Sequence, residues 1–289
     1  MAGSFITDNF NKVASRQGKI RIPNSHGPHM SNDSRLFDLS GKTALVTGGS
    51  RGLGLQLAEA LGSYGARLLL TARKTNELQQ AQVHLQERGI DAQWFAADGS
   101  NEADIAMLAD AAMERLGHVD ILVNNAGASW GAPAEDYPIH AWDKVFNLNI
   151  RGLFLLTQQI GKRSMIPRKY GRILNIASVA GLRGNPPDAM QSIAYNTSKG
   201  ALVNFTRTLA AEWGGHGITV NALAPGFFPS KMSQPLIDKL GDTALIGNSP
   251  LKRLGDDQDL KGAALLFVSD AGKHITGQIL AVDGGYTAV

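Results

Sequence analysis

The chain contains no cysteine. That single absence excludes disulfides, thiolate zinc sites and a cysteine nucleophile, and a reducing cytoplasm becomes the expected compartment. Charge is also sparse: Asp, Glu, Lys and Arg make up 18% of the 289 residues, against roughly 25% in an average domain. So little solvated surface suits a protein partly covered by other subunits. Lys plus Arg exceed Asp plus Glu by only three, and the basic residues form no long run. No nucleic-acid partner is therefore expected. No apolar run reaches the ~18 to 20 residues of a membrane span, and no charged-then-apolar signal follows Met1. Neither membrane insertion nor export is expected, and nothing in the residue pattern calls for a metal.

What the chain does have is apolar mass, 43% of its residues, enough for one large core of about 250 residues. Residues 1–38 lack sustained periodicity and carry two histidines in SHGPHM. They read as a disordered or vector-derived leader, with Met30 as the suggested native start. Residues 39–289 read as one domain in which strand and helix signals alternate. Strands are expected at Thr43 to Thr47, Arg67 to Ala72, Gln93 to Ala97, Ile121 to Val123, Arg172 to Ile176, Ile218 to Leu223 and Gln278 to Val282. Helices are expected from Leu53 to Tyr64, Lys74 to Arg88, Glu102 to Leu116, Trp142 to Met165, Ala194 to Trp213 and Asp257 to Val268. This alternation predicts an α/β fold, a doubly wound Rossmann-type parallel sheet of about seven strands with helices on both faces. Ligands of such sheets bind at the carboxyl ends of the strands.

The first of those ends is TALVTGGSRGLG, Thr43 to Gly54. A strand passes straight into an amphipathic helix through Gly48, Gly52 and Gly54, which points unpaired N–H groups and the positive end of a helix dipole into one small space. A pyrophosphate fits there because glycine has no side chain to block it. The second strand ends in Arg73, where many NAD-binding folds carry a carboxylate for the ribose 2′-hydroxyl. Arg73 and Arg51 instead suit a 2′-phosphate, which predicts NADP(H) as cofactor.

Tyr195 and Lys199 are spaced i and i+4, so both project from one face of their helix. Tyrosine alone is a poor acid–base group, about a thousandth ionised at neutral pH. A neighbouring ammonium and an oxidised nicotinamide favour the phenolate, and a drop of three pKa units corresponds to about 4 kcal/mol.

Taken in order, Thr47-Gly48-x-x-x-Gly52-x-Gly54, Asn124-Asn125-Ala126-Gly127, Asn149 in NLNIRG, Ser178 in IASVAG, Tyr195-x-x-x-Lys199, Pro225-Gly226 and Asp283-Gly284-Gly285 resemble the short-chain dehydrogenase/reductase family from about Leu39 to the C-terminus. The resemblance implies that Tyr195 is the general acid or base, that Ser178 hydrogen-bonds the same substrate oxygen, and that Lys199 binds the nicotinamide ribose and lowers the tyrosine pKa. Asn149 would hold a water linking the lysine to solvent. It also implies cofactor contacts at Gly48, Ser50, Arg51, Gly52, Leu53, Gly54, Arg73, Asp98, Gly99, Asn125, Ala126, Gly127, Tyr195, Lys199, Pro225, Gly226, Phe228 and Ser230. Hydride addition to a carbonyl builds charge on oxygen, which needs a donor within reach.

The substrate expected on this reading is a small carbonyl or alcohol. Among family members the chain resembles 3-oxoacyl thioester (acyl-carrier-protein) reductases in NNAGASWGA and APGFFPSKM. A basic cluster of Lys162, Arg163, Arg168, Lys169 and Arg172 makes an acyl-carrier protein a candidate partner. The alternative is a sugar-acid or polyol dehydrogenase of the gluconate 5-dehydrogenase kind. A third reading, a non-catalytic NADP-sensing or scaffold protein, sits poorly with the full set of Asn149, Ser178, Tyr195 and Lys199. The segment between Ser178 and Tyr195 is several residues longer than the family pattern, and its prolines and glycines make it a loop that reshapes the substrate pocket. Phe227, Phe228, Met232, Leu236, Ile237, Leu240, Leu245 and Ile246 read as an apolar lid. Gly152, Leu155, Leu156 and Gly161 on one helix, and Ala201, Leu202 and Phe205 on another, suit the helix packing of the homotetramer that the resemblance implies.

Overall fold

The structure is a computed structural model that describes residues 35–185, 191–234, 237–238 and 241–289. The leader up to residue 34, the loop residues 186–190, and Leu236 and Leu240 of the expected lid lie outside the described residues.

Seven strands, β1 (Thr43–Thr47), β2 (Arg67–Ala72), β3 (Ala92–Ala96), β4 (Ile121–Asn124), β5 (Gly171–Ile176), β6 (Ile218–Pro225) and β7 (Ile279–Val282), form one sheet. Their order is β3-β2-β1-β4-β5-β6-β7, and every pairing is parallel. β1, β4, β5 and β6 are buried along their whole length. Apolar runs without alternation are what a parallel strand covered on both faces requires. α1 (Gly52–Ser63), α2 (Thr75–Gln86) and the late helix α9 (Lys261–Val268) cover one face through Leu57, Leu61, Leu78, Leu85 and Phe267. On the other face, α3 (Glu102–Leu116) and α7 (Ile193–Trp213) contribute Ile105, Leu108, Leu116 and Leu209 to a second apolar layer. A short helix, α8 (Asp242–Ile246), lies in the expected lid region. The last helix opens at Lys261 rather than Asp257, because 256–260 fold as turns tied by the Asp256 and Asp259 carboxylates.

The expected single helix from Trp142 to Met165 is longer and interrupted. It runs as α4 (Ile139–Phe146), a π turn (Asn147–Gly152), α5 (Leu153–Ile160), a second π turn (Gly161–Met165) and α6 (Ile166–Arg168). Each π turn widens the ladder to i→i+5. The first lets Gly152 press against the loop after β3, where a methyl would collide with the Gly99 carbonyl. At the second, Gly161 lies under the Trp213 ring of α7. Leu156 and Leu202 are likewise buried within the chain. Those four residues pack inward, whereas Leu155 and Phe205 are half-buried, Ala201 is exposed, and Phe154 and Ile193 are 44% and 43% exposed. Among the described residues, no helix is long and apolar enough to cross a membrane.

Candidate active site

The strand order reverses between β1 and β4, so the connections leaving them diverge and open a crevice at their carboxyl ends. There the Thr47 hydroxyl accepts the Asn125 and Ala126 N–H groups, each at 3.0 Å, and donates to the Val123 carbonyl at 3.2 Å. Asn125 Nδ2 donates back to the Thr47 and Gly48 carbonyls at 2.9 and 3.2 Å. The two strand ends are thereby zipped together. Gly48 has φ +64°, and a methyl at Gly54 would run into the Gly48 carbonyl, so the turn closes only with glycine at both positions. α1 follows Arg51, whose side chain does not cap it. By contrast, the first turn of α3 is capped by Asn101 Oδ1, which accepts from Ala103 and Asp104 N–H. The uncapped first turn of α1 keeps its donors for a ligand.

A cleft of about 300 Å³ runs along this junction. It is lined by Gly48, Ser50, Arg51, Gly52, Leu53, Gly54, Arg73, Asp98, Gly99, Asn125, Ala126, Gly127, Tyr195, Lys199 and Ser230. The cleft reaches from the end of β2 to the end of β5, three strand spacings or about 14 Å, a span suited to an extended dinucleotide. Three expected contacts, Pro225, Gly226 and Phe228, do not line this cleft. Pro225 ends β6 in the core, and Gly226 is pressed against Asp283. The Phe228 ring is buried in the core against Gly255; the apolar character read as lid surface is spent on packing.

At the β2 end the cleft is basic. Arg51 and Lys74 both reach Glu77 Oε1, at 3.4 and 3.1 Å, and Lys231 lines the same wall. Among the described residues Arg73 makes no ion pair, and its charge is felt by Asp98. Burial raises the Asp98 pKa, but the Ser100 hydroxyl at 2.7 Å and amide at 2.9 Å, together with Arg73, more than offset it, so this carboxyl stays below its ordinary range. Asp98 is thus held ionised at the cleft wall.

At the other end, α7 brings Tyr195 and Lys199 onto one face, with the ammonium 5.6 Å from the phenol ring centre. Lys199 is 4% exposed and donates to the Ile176 carbonyl at the end of β5, at 2.6 Å. Burial pulls its pKa down to about 8. Burial also pushes the Tyr195 phenol up, against a hydrogen bond from Ser178 that favours the phenolate. One dry pocket thus penalises charge on either group. The Ser178 oxygen accepts from the Ala180 N–H at 3.1 Å, which fixes its rotamer and leaves its proton free to point at the phenol.

Asn149 lies in the first π turn and clamps Ala128 from both sides, its Oδ1 accepting from the Ala128 N–H at 2.8 Å and its Nδ2 donating to the Ala128 carbonyl at 3.0 Å. The same Nδ2 donates to Ser198 Oγ at 2.9 Å, and Ser198 donates to the Tyr195 carbonyl at 2.8 Å. Both amide hydrogens are thus committed to protein partners. Asn149 joins the β4 loop, the π turn and the tyrosine's own helix into one unit. Ser198 is the residue sequence reasoning missed; nothing marks it except its place between Tyr195 and Lys199. Thr47 was quoted only as part of a motif, Lys74 only as the start of a helix, and Lys231 was not singled out.

Folding gives part of the expected basic cluster partners within the chain. Arg172 is buried and lies over the Tyr170 ring, Arg168 pairs with the buried Asp120 at 2.8 Å, and Arg163 pairs with Asp110. Lys162, Arg163, Arg168 and Lys169 remain exposed, and of these Lys162 and Lys169 make no ion pair among the described residues.

Comparison with known proteins agrees with this geometry. The family model described as short chain dehydrogenase matches residues 42–241. A gluconate 5-dehydrogenase of Gluconobacter oxydans is 40% identical over 254 residues, covering 87% of this chain and 97% of that protein. The rhamnolipids biosynthesis 3-oxoacyl-[acyl-carrier-protein] reductase of Pseudomonas aeruginosa is 39% identical over 254 residues, covering 86% and 98%. Among solved structures, a gluconate 5-dehydrogenase from Burkholderia cenocepacia in complex with NADP and tartrate is 33% identical, with a TM-score of 0.83 over 88% of this chain and 98% of that one.

Proposed function

The chain belongs to the short-chain dehydrogenase family, and from that premise we propose a role for each group in the cleft and a class of substrate. The protein is an NADP(H)-dependent oxidoreductase that interconverts a ketone and a secondary alcohol. The observation that carries the assignment is the convergence of a phenol, an amine and a hydroxyl at one end of a glycine-floored cleft whose other end is basic.

The residues fit the cofactor. The methyl-excluding turn at Gly48 and Gly54 leaves room for a pyrophosphate, and Arg73, Arg51 and Lys74 supply cations for a ribose phosphate. When bound, the nicotinamide supplies or accepts the hydride. Everything else falls to the protein. In reduction, Tyr195 gives its proton to the carbonyl oxygen as charge develops there, and Ser178 donates a second hydrogen bond to the same oxygen. In oxidation the phenolate takes the proton back. Lys199, anchored on the Ile176 carbonyl, holds a positive charge beside the phenol and faces the ribose. Asn149 and Ser198 fix the backbone on which this pair stands. Asp98 reads the adenine side.

Arg73→Ala is expected to raise the NADPH dissociation constant by at least about tenfold and to leave NADH within about twofold. Fluorescence titration of both cofactors reads this, and equal losses for both would remove Arg73 from the phosphate site.

For substrate we favour a small polyhydroxylated acid or polyol. Burial of Arg172 and the pairing of Arg168 with the buried Asp120 weaken the case for a carrier-protein patch, and curated relatives include sugar-acid and polyol dehydrogenases. A 3-oxoacyl thioester remains the second reading, on the 39% identity to the rhamnolipid-pathway reductase. Comparing kcat/KM for 5-ketogluconate and an acetoacetyl thioester decides between them; a rate confined to the thioester overturns the first. The assembly we carry is a cytoplasmic homotetramer, with exposed Phe154 and Ile193 among the apolar side chains open to partner copies.

A further inference from the structure

One carboxylate stands among the cations that line the cofactor cleft. Glu77 accepts from Lys74 Nζ at 3.1 Å and from Arg51 NH1 at 3.4 Å through the same oxygen, and all three side chains line the cleft together with Arg73 and Lys231. Lys74 first, then Arg51 and Lys231, hold its carboxyl below the ordinary range, so it is ionised at working pH. Local helix chemistry explains part of this. A glutamate in the first turn of α2 complements the helix dipole, and Lys74 is its i,i+3 partner. Neither argument accounts for the bond to Arg51, which comes from the glycine turn 26 residues earlier and crosses the mouth of the cleft.

We propose that Glu77 is an internal counter-anion for the cofactor's ribose phosphate: it holds Arg51 and Lys74 at the cleft mouth and competes with that phosphate for them, so that it limits the preference for NADPH over NADH. The inference rests on the cofactor reading above. An incoming phosphate meets Arg73, which makes no ion pair among the described residues, but shares Arg51 and Lys74 with a carboxylate a few ångströms away. Like charges so placed repel, and the repulsion acts only on a cofactor that carries the phosphate. NADH, with a hydroxyl at that position, is indifferent to it.

The test is fluorescence titration of wild type and Glu77→Gln with NADPH and NADH, and calorimetric titration with adenosine 2′,5′-bisphosphate. Glu77→Gln is expected to tighten NADPH and the bisphosphate by about three- to tenfold, a modest figure because Arg51 and Lys74 are half exposed and solvent screens them. NADH is expected to stay within about twofold. The gain is expected to shrink as salt is raised. Glu77→Asp keeps the charge at the helix start but withdraws it from Arg51 by one methylene; the same shift, smaller, is expected there, and it serves where the glutamine variant folds poorly. NADPH binding that is unchanged or weaker in both variants overturns the proposal, because Glu77 then only orders the cations. Equal tightening of NADPH and NADH also overturns it. A wild-type enzyme without preference between the cofactors sinks the cofactor reading instead, and that is read before any variant is made.

Discussion

Tyr195→Phe is expected to lower kcat by about three to four orders of magnitude while moving the NADPH dissociation constant by less than about twofold. The substitution removes one oxygen and little else. The phenyl ring keeps its place 5.6 Å from the Lys199 ammonium, Ser178 stays fixed by the Ala180 N–H, and the helix remains tied to Asn149 through Ser198. What disappears is the donor for the oxygen on which charge develops. Ser178 remains as a hydrogen-bond donor, but its proton is far too weakly acidic to replace a phenol, so the residual rate reflects positioning alone. Steady-state rates with a panel of ketones and a parallel NADPH titration check both halves of the expectation. A variant retaining a tenth of the wild-type rate would take Tyr195 out of the acid–base role. A wild-type enzyme that bound NADPH but consumed none with any ketone would favour the sensor or scaffold reading.

The fold was legible because its signals are local. Strand and helix alternation and the glycine turn depend on neighbours within a few residues, and the order of motifs placed them at one edge of the sheet. Less was legible where tertiary partners decide. Helical periodicity cannot reveal a π turn, since Asn149 and Gly152 shift the ladder only because Ala128 and Gly99 press against them. An apolar helix face carries no label for what covers it: Leu156, Gly161 and Leu202 suited a subunit contact and were used inside the chain. Charges mislead in the same way. Arg168 is adjacent to Lys169 in sequence, but its partner Asp120 is 48 residues away. Ser198 stayed invisible because a serine in mid-helix is ordinary until an asparagine from another element points at it.

The second large effect concerns protons. Tyr195 and Lys199 share one dry pocket, which raises the phenol and pulls the amine down to about 8. Reduction uses the pair with both protons, phenol and ammonium. Its kcat/KM is expected to be level below about pH 8 and to fall above it, because loss of the ammonium proton leaves the forming phenolate without its neighbouring charge. Oxidation uses the pair with one proton, as phenolate beside ammonium, so its rate is expected to rise with pH and to level off in the same region. Lys199→Met removes the charge and preserves the length of the side chain. Both rates are then expected to drop by about two orders of magnitude, and the only remaining titration is the phenol's own, displaced upward from the wild-type limb. Rate profiles in both directions between about pH 6 and 10 separate this from a purely structural lysine. A merely structural role would lower the rates without moving the limb, since the group responsible for it would still be present. A Lys199→Met enzyme that keeps its turning point near 8 therefore assigns the titration to another residue, and the charge that makes Tyr195 a competent acid would have to come from elsewhere in the cleft.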